Sequence, residues 1–245
     1  MVILMDTDIP MNKPINDIHN HSLYQVDDGA FNIDVSIQMI EKAIADGTQT
    51  IILTPHVESK VTRADQDTRL KHFEILKKEV EKRQLNIQLM LGYEVQYQSH
   101  LKIDYQKYVI NNQVILIEFS PFRSTPIEEI CFDLVAKGFK VIVAHIERYE
   151  YLSFEDMIAI KQTGAYFQVN ASSIIGYEAK KLKKKVKPLI DYKLIDFIAT
   201  DAHNTLNRPY NLRACYEFLE KKVDSEYLNH IFYAHAQKMI IDGTS

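Results

Sequence analysis

Two histidines near the start of the chain, His19 and His21, have the spacing of residues that can bind one metal ion. They end residues 16–21, a segment that we predict to be a strand. Alternate residues of a strand point to the same side, so we expect the two imidazoles to face one way. Imidazole nitrogen is the commonest metal ligand among protein side chains. The pair alone is a weak motif, and it gains weight from similar residues further along the chain.

Further histidines and carboxylates follow other strand-like segments, where each alone would be an ordinary packing or solvated residue. Burying them together without cations is costly, because like charges repel and unpaired polar groups lose hydration. Nitrogen and oxygen ligands without thiolate suit manganese, iron, zinc or magnesium. The candidates exceed the need of one ion, so the sequence predicts two or three. The full set of candidate metal ligands is His19, His21, Asp28, His56, Glu94, Glu118, His145, Asp201 and His203.

The elements that must position these residues alternate along the chain. Continuous apolar runs such as 51–53 and 141–144 are typical of parallel strands buried on both faces. This alternation predicts one parallel α/β domain, and ligands at nearly every strand end favour barrel-like closure over an open sheet. The predicted strands are 16–21, 50–56, 87–95, 114–120, 140–148, 165–172 and 196–203. The predicted helices are 34–46, 67–84, 126–137, 154–163, 177–192, 210–222 and 225–237.

Composition excludes several classes of protein. The chain has 245 residues, of which 46% are hydrophobic and 25% charged, as in an ordinary globular domain. A net charge of −4 argues against a protein built chiefly to bind nucleic acid. No apolar run is long enough to cross a bilayer, and the first five residues are too short for a signal-peptide core. We therefore expect a cytoplasmic protein.

Two arginines suggest what the metal centre acts on. Arg148 and Arg208 follow ligand-bearing strands, and a guanidinium presents a planar fork that matches phosphate oxygens. A metal-activated hydroxide attacking a phosphate monoester is therefore the predicted chemistry. The two cysteines, Cys131 and Cys215, lie in predicted helices. Neither has an arginine six residues on, so a cysteine nucleophile is disfavoured.

These residues also match a family as an ordered series of motifs. The chain resembles the polymerase-and-histidinol-phosphatase (PHP) superfamily, and within it the bacterial protein-tyrosine phosphatases of capsular and exopolysaccharide operons. The match runs from about residue 15 to the C-terminus. The motifs that carry it are Asp17-Ile18-His19-x-His21, Asp27-Asp28-Gly29, Thr54-Pro55-His56, Gly92-x-Glu94, Ile117-Glu118-Phe119, Ala144-His145-Ile146-Glu147-Arg148-Tyr149 and Thr200-Asp201-Ala202-His203-Asn204.

The resemblance implies a distorted TIM-like (β/α)7 barrel, the PHP fold, as a single phosphatase domain over residues 15–245. Residues 1–14 would form an N-terminal extension, since relatives begin almost at the first strand. It further implies a cluster of three metal ions, with manganese preferred. Hydrolysis of phosphotyrosine on a membrane-associated autokinase that controls polysaccharide synthesis is the implied activity, with Arg148 and Arg208 as phosphate-binding residues.

The resemblance also divides the ligands among the ions. His19, His21, Glu94 and Asp201 resemble the first set. Glu94 would bridge to a second ion held with His56 and His145, and Asp28, Glu118 and His203 resemble the third set.

Other functions stay open at this point. One is a PHP phosphatase for a small phosphate monoester such as histidinol phosphate. Another is a non-catalytic, regulatory metal-binding module, and a third is a PHP nuclease, which the acidic composition disfavours.

Overall fold

A computed structural model describes residues 14–111, 113–178 and 180–243. The predicted extension, residues 1–14, lies outside these ranges apart from Pro14. The strands are β1 (Ile15–Asn20), β2 (Thr48–Leu53), β3 (His56–Val57), β4 (Gln88–Leu91), β5 (Glu94–Gln96), β6 (Val114–Glu118), β7 (Lys140–Val143), β8 (Tyr166–Asn170) and β9 (Phe197–Ala199). The helices are α1 (Ile33–Ala45), α2 (Gln66–Lys82), α3 (Ile127–Ala136), α4 (Phe154–Gln162), α5 (Ala171–Ile175), α6 (Lys180–Asp191), α7 (Leu212–Glu220) and α8 (Ser225–Asn229).

All the strand pairings between named strands are parallel, in the order β1-β2-β4 and β3-β5-β6-β7-β8-β9. β2 and β3 are two parts of one strand path that is interrupted near Pro55, which has no N–H to donate. β4 and β5 form a second path, interrupted at Gly92 and Tyr93. Within the described ranges the chain thus makes seven parallel strand paths, as the predicted (β/α)7 barrel requires.

The last strand path meets the first and closes the ring. The backbone N–H of Asp201 donates to the carbonyl of His19 over 2.8 Å, and the N–H of His21 donates to Ala202 over 2.8 Å. Asn20 and Ala202 form a parallel bridge there. The predicted barrel is therefore confirmed, with a closure made of few hydrogen bonds between β1 and the segment after β9.

Apolar side chains fill the barrel below its carboxyl-end rim. Leu116, Ile142 and Phe197 belong to one buried cluster with residues of the C-terminal segment. That segment continues α8 as π-helical turns over His230–Ala234 and Gln237–Ile241, and contributes Met239 and Ile240 to the same cluster. The apolar interior leaves the upper rim as the place where the polar strand ends collect.

The structure corrects two predicted element boundaries. The predicted strand 165–172 ends early, because β8 stops at Asn170 and α5 begins at Ala171. The predicted helix 177–192 corresponds to α6, which begins at Lys180. Gly176 then adopts φ +85° and ends α5, a left-handed conformation that glycine adopts without steric cost. No helix of the described residues is both long and apolar enough to span a membrane.

Candidate active site

The barrel rim brings all the sequence-predicted ligands into one cluster. β1 and the segment after it supply two histidines and an aspartate, and β3, β5 and β6 supply one ligand each. The turns after β7 and β9 supply the remaining three. The cluster therefore consists of His19, His21, Asp28, His56, Glu94, Glu118, His145, Asp201 and His203, joined by contacts of 3.0–3.7 Å.

The first group of ligand atoms lies where β1 meets β9. The Nε2 atoms of His19 and His21 are 3.3 Å apart, so the two imidazoles do face one way. Asp201 Oδ1 lies 3.7 Å from His19 Nε2 and 3.4 Å from His21 Nε2. Glu94 Oε2 lies within 3.3 Å of both Nε2 atoms. Two nitrogens and two oxygens thus face a common point.

A second group shares Glu94 with the first. Its Oε2 lies 3.0 Å from His56 Nδ1, and its Oε1 lies 3.0 Å from His145 Nε2. Glu118 contacts both histidines, at 3.4 Å from His56 and 3.7 Å from His145. The geometry therefore groups Glu118 with His56 and Glu94, and not with Asp28 and His203 as the resemblance implied.

A third group lies at the mouth of the cluster. Asp28 Oδ1 is 3.5 Å from His203 Nε2 and 3.6 Å from His56 Nε2. These three residues and His21 have ligand atoms close enough to hold one ion. The side chain of Asp28 is 36% exposed, whereas those of His203 and His21 are buried. Asp28 is therefore the most exposed ligand of the cluster.

Two of the ligand residues have unusual backbone conformations, which orient their side chains. His145 has φ +32° and Asp201 has φ +52°. A non-glycine residue in this left-handed region costs roughly 1–3 kcal/mol, which persists only where the surrounding structure enforces it. The Asp201 amide bonded to His19 is one such constraint.

Asp27 orients two ligands without belonging to a group itself. Its Oδ2 lies 2.7 Å from His21 Nδ1 and accepts the backbone N–H of His56 over 3.0 Å. This contact leaves His21 Nε2 as the ligand atom, which is the usual arrangement around a metal-binding imidazole. Gly29 completes the turn, because a Cβ there would lie 2.1 Å from the carbonyl oxygen of His21.

Gln168 and Asn170 on β8 form a buried support that the sequence analysis missed. Gln168 Oε1 accepts the backbone N–H of His145 over 2.8 Å, so its amide orientation is fixed. His19 Nδ1 lies 3.0 Å from the same oxygen and must carry a proton, which leaves Nε2 free. Gln168 donates to Asn170 Oδ1, and Asn170 donates to Asp201 Oδ2 over 3.0 Å. The sequence feature that could have indicated this support is a pair of amide side chains at alternate positions of a buried strand.

The electrostatics of the cluster fit bound cations. Burial opposes ionisation of Glu94, but His19 and His56 beside it hold the Glu94 pKa well below its usual range. Burial likewise opposes protonation of His56, yet Glu94 raises the His56 pKa to about 10. Without metal, protons on imidazoles therefore balance the carboxylates.

Buried ligand atoms without hydrogen bonds also indicate that the cluster fits metal ions. Among the described residues, Glu94 Oε2 and His56 Nδ1, which are 3.0 Å apart, and His203 Nε2 are buried and make no hydrogen bond. Atoms that face a shared point without pairing are what a ligand set requires, and native proteins rarely bury such atoms unsatisfied. The residues present therefore fit divalent ions bound by nitrogen and oxygen.

The two predicted phosphate-binding arginines meet at the open side of the cluster. Arg148 Nη1 and Arg208 Nη2 donate to Asp201 Oδ2 over 2.8 and 2.7 Å. A second Arg148 nitrogen donates to Glu178 over 2.6 Å. The side chains of Arg148 and Arg208 are 25% and 36% exposed. Both guanidinium groups therefore lie between the buried ligands and solvent.

The cysteines lie apart from this chemistry. Cys131 and Cys215 are free and buried in the core cluster between the barrel and its helices. Burial raises the pKa of Cys131 to about 12 and that of Cys215 further above its ordinary value. Neither forms the reactive thiolate that a cysteine phosphatase needs.

Comparisons with known proteins agree with this site. Residues 15–241 match the family model described as capsular polysaccharide synthesis, CpsB/CapC. The chain is 31% identical to the tyrosine-protein phosphatase CpsB of Streptococcus agalactiae, covering 91% of this chain and 97% of that protein. It is also 31% identical to the tyrosine-protein phosphatase YwqE of Bacillus subtilis, covering 93% and 92%.

A solved structure of related phosphatases has a similar fold. Crystal structures described as YwqE from Bacillus subtilis and CpsB from Streptococcus pneumoniae, unique metal-dependent tyrosine phosphatases, include a chain that superimposes with a TM-score of 0.84. Sequence identity is 28%, and 94% of this chain and 96% of that chain are covered. The chain described here belongs to the CpsB/CapC family of capsular polysaccharide synthesis.

Proposed function

We propose that this protein is a metal-dependent protein-tyrosine phosphatase. Its substrate would be phosphotyrosine on a membrane-associated autokinase that regulates capsular or exopolysaccharide synthesis, and it would act in the cytoplasm as a single domain over residues 15–245. One observation carries the proposal: a buried set of imidazoles and carboxylates lies directly behind two partly exposed arginines. The named activity of the relatives supports the choice of phosphotyrosine.

We propose that the three ligand groups hold three ions, with manganese preferred and iron, zinc or magnesium as the alternatives. His19, His21, Glu94 and Asp201 would hold one ion. Glu94 with His56, Glu118 and His145 would hold a second, and Asp28 with His203 and the neighbouring histidines a third. Divalent ions at such a site supply activated water and Lewis-acid stabilisation of phosphate.

The arginines would bind the substrate phosphate. In the structure their donors meet on Asp201 Oδ2, which shows that both can direct N–H groups at one anionic oxygen. A phosphoryl group has three such oxygens, and charge-assisted bonds from a planar fork match them. Phenolate is a comparatively good leaving group, so this scheme needs no strong general acid.

The first test replaces each arginine in turn. Arg148→Ala and Arg208→Ala should lower kcat/KM for a phosphotyrosine peptide by about 10²–10³, the usual effect of removing one preorganised charge-stabilising donor. Each variant is assayed at saturating metal, because both arginines donate to the ligand Asp201 and their removal also weakens support of that ligand. Arg213→Ala is the matched control, because Arg213 follows closely in the chain but pairs with Glu217 on α7.

The same assay separates the alternatives. A higher kcat/KM for histidinol phosphate than for every phosphotyrosine peptide would favour the small-molecule phosphatase. Tight metal binding without turnover of either substrate would favour the non-catalytic module. Wild-type turnover in both arginine variants would contradict the role proposed for these side chains.

A further inference from the structure

A polar cavity lies on the carboxyl side of the barrel, outside the metal groups. Its volume is about 560 Å³, and its wall includes Val57 and Glu58, which directly follow the ligand His56. Consecutive Cα atoms are about 3.8 Å apart, so the cavity lies beside the cluster. The residues that matter for its chemistry are Glu58, Asp65, Arg69, Gln98, Lys107 and Tyr108.

Arg69 is the unusual member of this wall. It lies in the first turn of α2 and is only 4% exposed. Its Nη1 donates to the carbonyl of Ala64, but its Nε is buried and makes no hydrogen bond. Among the described residues no carboxylate lies within ion-pair distance of Arg69. A buried guanidinium without a counter-charge is costly unless a ligand supplies one.

Arg69 is also linked to the metal cluster through packing. Its Cζ lies 5.6 Å from the ring centroid of Tyr93, and Tyr93 directly precedes the shared ligand Glu94. The N-terminal end of the 17-residue helix α2 faces the same cavity through Asp65 and Gln66. The positive end of a helix dipole favours an anion there.

The two acids in the wall already have partners. Asp65 caps α2 by accepting the N–H of Thr68 over 2.8 Å. Glu58 has φ +56° and is held by Tyr108, whose hydroxyl donates to its carboxylate over 2.6 Å. Gln98 donates to the Glu58 carbonyl. These contacts hold the wall in place. Asp65 attracts Arg69 electrostatically, but neither acid lies within ion-pair distance of its guanidinium.

We propose that this cavity is a specificity subsite in which Arg69 binds a carboxylate of the substrate, close in sequence to the phosphotyrosine. This inference rests on the proposed phosphatase function. An extended peptide advances about 3.3–3.6 Å per residue, so a carboxylate one to three residues from the phosphotyrosine is within reach of the adjoining cavity. The carboxylate is either an acidic side chain or the C-terminus of the substrate.

The test uses pairs of phosphotyrosine peptides that differ at one position, which is glutamate in one peptide and glutamine in the other. Each peptide has glutamate at one of the three positions on either side of the phosphotyrosine. Its partner peptide has glutamine at that position, and both peptides have blocked ends. At one or more positions the wild-type protein should hydrolyse the glutamate peptide with about tenfold higher kcat/KM, the effect of one charge-assisted hydrogen bond. A further arm compares free with amidated C-termini, which identifies the source of the carboxylate.

Variants assign the preference to Arg69. The glutamate-to-glutamine ratio should fall to about one in Arg69→Gln and be partly kept in Arg69→Lys, which retains charge but loses the planar fork. Arg83→Gln, at the exposed end of the same helix, should keep the wild-type ratio.

The wild-type protein alone can refute the inference, even if Arg69→Gln does not fold. Equal rates for every glutamate and glutamine pair, and for free and amidated ends, would overturn the subsite while leaving the phosphatase intact. Failure to hydrolyse any phosphotyrosine peptide with metal present would instead overturn the proposed function. A ratio unchanged in folded Arg69→Gln would also refute the role of this residue.

Discussion

Replacing Gln168 with leucine should weaken metal binding without removing a single ligand atom. The Gln168 side chain is fully buried and joins three residues by hydrogen bonds. Its oxygen faces His19 Nδ1 and the N–H of His145, and its amide group donates to Asn170 over 2.8 Å. Leucine has a similar volume but can make none of these bonds.

The expected loss of unfolding free energy follows from the buried polar groups that the substitution leaves without hydrogen bonds. The substitution leaves two N–H donors and one carbonyl acceptor buried, and each unsatisfied group costs about 1–3 kcal/mol. Allowing for relaxation, we expect the metal-free protein to lose roughly 3–6 kcal/mol of unfolding free energy. Released from Gln168, the His19 imidazole can rotate or change tautomer. Loss of such a supporting contact typically lowers metal affinity by about 10–100-fold.

The assay is competition for Mn²⁺ between the metal-free protein and a chelating dye, with chemical unfolding of the same samples. Gln88→Leu is the matched control, because Gln88 is an exposed glutamine at the start of β4, away from the rim. Gln168→Leu with wild-type metal affinity and wild-type stability would refute the role assigned to the β8 amides.

Three other substitutions test separate parts of the structure. Gly29→Ala should lower metal affinity by about tenfold or more, because its Cβ would displace the backbone of His21; normal metal binding would show that this turn relaxes freely. The Cys131→Ser/Cys215→Ser double variant should keep wild-type turnover in a phosphatase assay, and lost turnover in folded protein would contradict chemistry without a cysteine nucleophile. Burial, followed by a neighbouring imidazole, lowers the pKa of His235 from 6.5 to about 4. The unfolded chain therefore binds this proton first as pH falls, so stability is lost from pH 6.5 down to about 4. His235→Phe should flatten that part of the Tm–pH curve, and an unchanged curve would contradict the assignment.

The sequence predicted the barrel and its ligands because both depend on short-range patterns. Buried parallel strands are visible as continuous apolar runs, and parallel strands carry their carboxyl ends to one rim. Residues such as His19 and Asp201, nearly two hundred positions apart, could therefore be placed together before the structure was known. Strand alternation likewise predicted the common direction of His19 and His21.

Features that depend on contacts between distant segments were not predictable in this way. The contact between Glu118 and His56 depends on how far each neighbouring strand extends toward the rim of the barrel. Sequence spacing does not determine this extent. The buried Arg69 guanidinium, whose Nε makes no hydrogen bond, becomes visible only once α2 is packed against Tyr93. Gln168 resembled an ordinary strand residue because two of its three partners, His19 and His145, come from another strand and a turn.

The central claim is that the rim residues hold divalent ions on which phosphotyrosine hydrolysis depends. The most direct measurement is metal content and phosphatase rate on one preparation: as purified, after chelation, and after adding back Mn²⁺, Fe²⁺, Zn²⁺ or Mg²⁺ singly. We predict up to three ions per chain, loss of activity with the metal, and the best recovery with Mn²⁺. Full activity in protein that elemental analysis finds free of metal would contradict the account.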